Sequence, residues 1–209
     1  RLRATRAALG WHVAPSPPPH DLLGLELRDR LVRRGRRCRV ITLVRDPIAR
    51  NISSYFEHLD AIWNRTDAHA SVPLDDLHRG FLERFPHDEP LTWFDDELLP
   101  VLGIDVHDHS FPSAGSLRIG DVLIMKSELE DAVKSAALRD FLGLRRLTVQ
   151  PTNSTGSKSK GETYRHFLAT IRLEQGFVDR MLESRYTRHF YTEAERDAMR
   201  RKYLAPSTI

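Results

Sequence analysis

The sequence predicts an α/β fold, a three-layer domain on a parallel sheet with a helical C-terminal extension, and three observations carry that expectation. Arg39–Val44 is a β-branched, apolar run of the kind buried on both faces in a parallel sheet. It leads into Asp46-Pro47, a helix-start signal, after which Ile48, Ile52, Tyr55, Phe56 and Leu59 recur at helical spacing. Strand-like and helix-like segments then continue to alternate along the chain, which is the pattern of sheet layers covered by helices.

In chain order, Leu2–Leu9 reads as a helix end, Trp11–Ala14 as a short strand and Pro15–Pro19 as a loop, because consecutive prolines lack donors and hold their predecessors extended. Leu22, Leu23, Leu27 and Leu31 share one face of a helix over Asp21–Arg34. After the Arg39 strand and the Asp46 helix come a polar loop at Asn64–Ser71 and short helices at Leu74–Phe85 and Leu91–Leu99. Leu117–Met125, broken by Gly120 and Asp121, is a tight hairpin or a bent strand. A helix over Glu128–Leu142 ends at Gly143, Leu147–Gln150 is a strand candidate, and the Ser-, Thr-, Gly- and Lys-rich stretch Pro151–Gly161 is a mobile loop. Tyr164–Leu204 is helical by propensity, with Phe177, Met181, Leu182 and Tyr186 at helical spacing.

A length of 209 residues suggests a single domain, residues 1–209, with residues 162–209 as a helical extension of it. The apolar fraction of 40% is that of a folded chain, and no apolar run approaches the roughly 18 residues of a membrane span. A net charge of +3 is too mild to indicate nucleic acid, so neither a nucleic-acid partner nor a membrane segment is expected. Nearly all of the positive charge is Arg, the side chain that grips phosphate bidentately. Cys38 stands alone, which excludes an intrachain disulfide and a cysteine-based zinc site and points to a reducing, cytoplasmic location. Against that, Asn51, Asn64 and Asn153 each begin an Asn-x-Ser/Thr triplet, which leaves the Golgi lumen as the other location to test.

The strongest chemical feature is the junction Val40-Ile41-Thr42-Leu43-Val44-Arg45-Asp46-Pro47-Ile48-Ala49-Arg50-Asn51-Ile52-Ser53. Ligands of open α/β sheets bind beyond the carboxyl ends of the strands, where Arg45 sits. A helix N-terminus there offers unpaired N–H groups and the positive end of a dipole, and Arg45 adds a bidentate cation. Ser53, two turns on, lies off the apolar stripe and can present its hydroxyl to the same anion. The plainer reading is a surface Arg beside an ordinary helix start.

These residues resemble a family. Strand-Arg-Asp-Pro-x-x-Arg-x-x-Ser is similar to the segment with which sulfotransferases hold the 3′-phosphate of 3′-phosphoadenosine 5′-phosphosulfate (PAPS). Val122-Leu123-Ile124-Met125-Lys126-Ser127-Glu128-Leu129 followed by Phe141-Leu142-Gly143-Leu144 resembles the family's second landmark, and Gly156-Ser157-Lys158-Ser159-Lys160-Gly161 its nucleotide-closing loop. Tyr186–Tyr191, Trp93-Phe94-Asp95 and Gly103-Ile104-Asp105-Val106 narrow the likeness to a branch described as putative capsular polysaccharide synthesis proteins. The resemblance implies a P-loop-type, sulfotransferase-like domain. It places Arg45 and Ser53 on the 3′-phosphate and Lys158, Lys160 and Gly161 in the closing loop. PAPS would be the donor, with no metal, and a glycan the acceptor.

Sulfuryl transfer also needs a base, for which His12 and His20 are the candidates, with Glu57 and His58 weaker. The family's first strand and 5′-phosphosulfate loop are not visible in the sequence. The expectation is that they precede Arg1, so that the full-length protein is an enzyme and this chain alone is inactive in transfer. The competing expectation is a nonenzymatic nucleotide- or polyanion-binding domain that keeps only the 3′-phosphate site. Elsewhere, His107, Asp108 and His109 are metal-ligand types without a distant third ligand, Arg33–Arg37 reads as a solvated helix end, and Trp93 and Phe94 read as core before sugar subsite.

Overall fold

The computed structural model describes Glu26, Asp29, Arg30, Arg34, residues 38–150 and residues 160–204. The expectations at Leu2–Leu9, Trp11–Ala14 and Pro15–Pro19, and the candidates His12, His20 and Lys158, lie outside the described residues.

The fold is α/β. Strand β1 (Val40–Val44) runs parallel to β3 (Val122–Lys126), and β2 (Ser116–Ile119) joins β3 as an antiparallel hairpin, in the order β1-β3-β2. The sheet is therefore mixed where a parallel one was expected. The hairpin turns on Gly120, whose φ of +56° suits glycine at the first central position of a two-residue turn. Alternate residues of β3 face opposite layers. Val122 and Ile124 join Val44, Phe94, Leu98, Val106, Tyr186, Phe190 and Tyr191 on one side, while Leu123 and Met125 meet Phe141 on the other.

The expectation that β1 is buried on both faces needs correcting. Among the described residues it is an edge strand, and Ile41 and Leu43 are 42% and 55% exposed. They pair with Leu123 and Met125 and so share the face covered by helix Asp131–Leu142, but that helix packs on the β3 half only.

Helix α1 (Pro47–Glu57) forms as its start signal predicts: Asp46 caps it, Pro47 occupies its first position, and Ile48, Ile52, Tyr55, Phe56 and then Leu59 are buried. Short helices α2 (Leu59–Trp63) and α3 (Ala68–Ser71) follow, so the expected polar loop contains a helical turn, anchored by the buried Ala68. Next come α4 (Leu74–Arg84) and a helical path formed by α5 (Glu89–Trp93), a π-helical turn (Phe94–Leu98) and α6 (Leu99–Leu102). A 3₁₀ turn (Val106–Asp108) leads to the hairpin. Helix α7 (Asp131–Leu142) ends at Gly143 with φ +68°.

Leu147–Gln150 is not a strand. Side chains of α7 take its backbone groups instead: Ser135 Oγ accepts from Val149 N–H at 2.9 Å and Arg139 donates to the Leu147 carbonyl at 3.2 Å. The chain closes with α8 (Gly161–Thr170), α9 (Gln175–Leu182), α10 (Arg185–Phe190) and α11 (Glu193–Tyr203).

These last helices are part of the main core. Phe167, Ile171, Leu173, Val178, Met181, Leu182 and Tyr203 are buried in one cluster with the α1 stripe. Tyr55 stands at its centre among Phe56, Phe81, Phe85 and Phe167. Its hydroxyl donates to the Leu77 carbonyl and accepts from Trp63 Nε1, both at 3.0 Å, and burial pushes its pKa up to about 12. No described helix is long and apolar enough to cross a membrane. Asn51 is fully buried and donates to the His87 carbonyl at 2.9 Å, which closes its triplet to modification in the folded chain, whereas Asn64 is exposed.

His87 is the buried titratable group of this core. Nε2 donates to the Phe81 carbonyl at 2.7 Å and Nδ1 faces the Asn51 amide at 3.4 Å. Burial outweighs the bond to Phe81 and lowers its pKa to about 4. Between pH 6.5 and 4 the unfolded chain thus binds the proton that the folded chain refuses. Stability is full above pH 6.5 and falls as the pH drops towards 4. The urea midpoint should fall over that interval, and His87→Gln should flatten the decline by up to one proton, about 1.4 kcal/mol per pH unit. His78, His107 and His189, also lowered mainly by burial, leave a residual slope. An unchanged slope in the variant would show that His87 does not titrate there.

Candidate anion-binding site at the end of β1

Arg45 is the residue at which β1 gives way to α1, and its backbone is clasped by one side chain. The Tyr186 hydroxyl accepts from Arg45 N–H and donates to the Arg45 carbonyl, each at 3.0 Å. The next residue is tied from three directions. Asp46 N–H donates to Glu128 Oε1 at 2.8 Å, Asp46 Oδ1 accepts from the N–H groups of Ile48 at 2.9 Å and Ala49 at 3.2 Å, and Oδ2 accepts from the Tyr203 hydroxyl at 2.6 Å. Glu128 in turn accepts from the Tyr191 hydroxyl at 3.2 Å.

Burial is the first cause that pushes the phenols of Tyr186, Tyr191 and Tyr203 above their ordinary value, and the nearby Asp46 carboxylate acts in the same direction. All three stay protonated, hence donors, across the physiological range. Beside them Lys126, buried at the end of β3, donates to Glu195 Oε1 at 2.6 Å and lies 4.8 Å from the centre of the Tyr191 ring. Burial tends to raise the Glu195 pKa, but the bonds from Lys126 and Thr192 outweigh it and lower the value.

One part of the expected anion site is already taken. The amides of Ile48 and Ala49 serve Asp46, Pro47 has no N–H, and Arg50 N–H closes the helix onto the Asp46 carbonyl at 2.9 Å. The helix end therefore offers no open row of donors, because its own cap is a carboxylate. Side chains remain. Arg45 is half-buried, and among the described residues its guanidinium has no ion pair or hydrogen bond. Ser53 is half-buried on α1, and its hydroxyl likewise has no hydrogen-bond partner among them. Arg50 is engaged, donating to Glu89 at 3.0 Å and to Asn51 Oδ1 at 3.3 Å.

Lys160 comes to the same helix from across the fold. Its Nζ donates to the Phe56 carbonyl at 3.2 Å, about one turn beyond Ser53, and Gly161 is buried at the first position of α8. Glu57 is exposed, and His58 Nδ1 meets the Ser54 carbonyl at 2.8 Å. Trp93 and Phe94 are core: Phe94 is 5% exposed and Trp93 packs on the same cluster. Sequence reasoning missed the tyrosines that position Arg45. The available signal was a hydroxyl on aromatic residues at otherwise buried helical positions, since a buried phenol requires a polar partner.

Comparison with family models, with curated proteins and with solved structures finds no match in any of the three.

Tyr186→Phe removes both bonds to the Arg45 backbone while keeping the ring. The variant should lose about 1–3 kcal/mol of stability in chemical denaturation, since the Arg45 amide is left without a partner in a part-buried place. A loss within experimental error would mean that the clasp does not hold Arg45.

Proposed function

We propose that this chain binds a 3′-phosphorylated adenosine nucleotide at Arg45 and Ser53, as the donor side of a PAPS-dependent sulfotransferase of cell-surface polysaccharide biosynthesis. The observation that carries the reading is Arg45 itself. A half-buried guanidinium without a counter-ion among the described residues, on a backbone locked from both sides, is a cation prepared for an anion that comes from outside. The likeness of its surroundings to the sulfotransferase 3′-phosphate segment specifies which anion.

In the proposed reaction an acceptor hydroxyl of the glycan attacks sulfur in line, the bond from sulfur to the 5′-phosphate oxygen breaks, and a base takes the hydroxyl proton. His12 and His20 are proposed for that base. Lys160, with Lys158 two positions before it in the sequence, would offset negative charge on the donor. Arg45 and Ser53 act at a distance from the reacting bond, and their part is to hold the nucleotide in alignment.

Calorimetry with adenosine 3′,5′-bisphosphate and adenosine 5′-monophosphate tests the site. The bisphosphate should bind tighter by about 1.5–3 kcal/mol, and Arg45→Ala should erase the difference. Ser53→Ala should remove part of it. Equal affinities of the wild-type chain for the two nucleotides would overturn the assignment. A glycan sulfation assay on the longest soluble form then separates the two expectations: preference for the bisphosphate with no transfer to any glycan selects the binding-only domain.

Lys160→Met gives an independent check. It should weaken the bisphosphate several-fold, whereas an unchanged affinity would leave Lys160 as a helix-terminal contact only.

A further inference from the structure

His107 shares with Asp95 and Asp105 a cluster that the nucleotide reading does not use. Asp95 lies in the π-helical turn, and Asp105 caps the following 3₁₀ turn, its Oδ1 accepting from His107 N–H at 2.9 Å. The three side chains can each bring one ligand atom within 4.8 Å of the others. The His107 side chain is only 6% exposed, and its Nε2 points at Asp95 Oδ1 across 4.0 Å, beyond hydrogen-bonding range. Nδ1 is buried without a partner. Among the described residues neither ring nitrogen has a hydrogen bond, and for the buried Nδ1 that is a cost.

We propose that Asp95, Asp105 and His107 form a site for a divalent transition-metal ion of the zinc class. The imidazole is a borderline nitrogen ligand, so a set of one imidazole and two carboxylates suits such an ion better than magnesium or calcium, which favour all-oxygen shells. The ligand atoms of a tetrahedral zinc ion lie about 3.3 Å apart, so separations of up to 4.8 Å need to close by at most about 1.5 Å. Asp95 and Asp105 are 39% and 26% exposed, which leaves the ion a route from solvent and room for water in its shell.

Arg185 is the stand-in cation. It donates to Asp95 Oδ1 at 3.3 Å and to Asp105 Oδ2 at 3.2 Å, offsetting the charge that a metal would otherwise neutralise. Metal and guanidinium thus compete for the same oxygens. His189 stands behind the site, with ring centres 4.7 Å apart and its own Nε2 buried without a partner, as a candidate additional ligand. Asp108 and His109, the sequence neighbours of His107, are exposed and are not part of the cluster.

The test is a zinc titration of the chelator-stripped chain by calorimetry at pH 7, with thermal unfolding as a second readout. One zinc ion should bind per chain and raise the melting temperature. Asp95→Asn should weaken binding at least tenfold, and Arg185→Gln should strengthen it several-fold because the competitor is gone. Both side chains are substantially exposed, so neither test depends on a buried position. His109→Ala should change nothing. Absence of a one-to-one event, an Asp95→Asn affinity equal to wild type, or an Arg185→Gln variant that binds no tighter would each overturn the site. The result is independent of nucleotide affinity.

Discussion

A single buried carboxylate organises the corner on which the rest of the structure depends. Asp46 is 5% exposed, and a carboxylate so far from water is tolerable only when hydrogen bonds replace its solvation. One oxygen serves the amides that begin α1 and the other takes the hydroxyl of Tyr203, the last residue of α11. A local device, the helix cap, and a long-range one, the seating of the C-terminal helices, are thereby joined in one side chain. The first sets where α1 starts and the second fixes the end of α11.

The partners at this corner come from distant sequence: Glu128 is 82 residues from Asp46, Tyr186 is 141 from Arg45, and Tyr203 is 157 from Asp46. Contacts of such separation require the intervening chain to be ordered first, so the corner is a product of the whole fold. The same network decides what kind of anion site is left. By consuming the amides of α1 it removes the backbone cradle, so the proposed anion site relies on side chains, chiefly Arg45. Recognition by a guanidinium is directional, whereas a row of amides accepts anions of many shapes.

Elsewhere the interior keeps its polar groups neutral. Tyr55 bridges Trp63 and Leu77, and His87 bridges Phe81 and Asn51, each as an uncharged group with hydrogen-bonding partners. Lys126 is the exception that remains paired, against a half-exposed Glu195 at the sheet end. Against that background the stacked pair His107 and His189 contrasts with Tyr55 and His87, because each keeps a buried ring nitrogen without a partner, as His69 also does.

Much of the local structure was legible in the sequence. Asp46-Pro47 and the stripe Ile48, Ile52, Tyr55, Phe56 and Leu59 define α1 through capping and periodicity, Gly120 marks the hairpin, and Gly143 ends α7, since each rule acts within a few residues. The position of Arg45 at a strand end was legible for the same reason. The antiparallel place of β2, the edge position of β1 and the irregular path of Leu147–Gln150 were decided by tertiary structure, because an apolar run does not say which neighbour will supply its hydrogen bonds. So were the bond from Tyr203 to Asp46, the Tyr186 clasp on Arg45 and the meeting of His107 with Asp95. Sequence specifies which groups can bond over a few residues; which of them meet across more than a hundred is determined by packing, where a buried phenol, carboxylate or imidazole settles only beside a group that replaces its water.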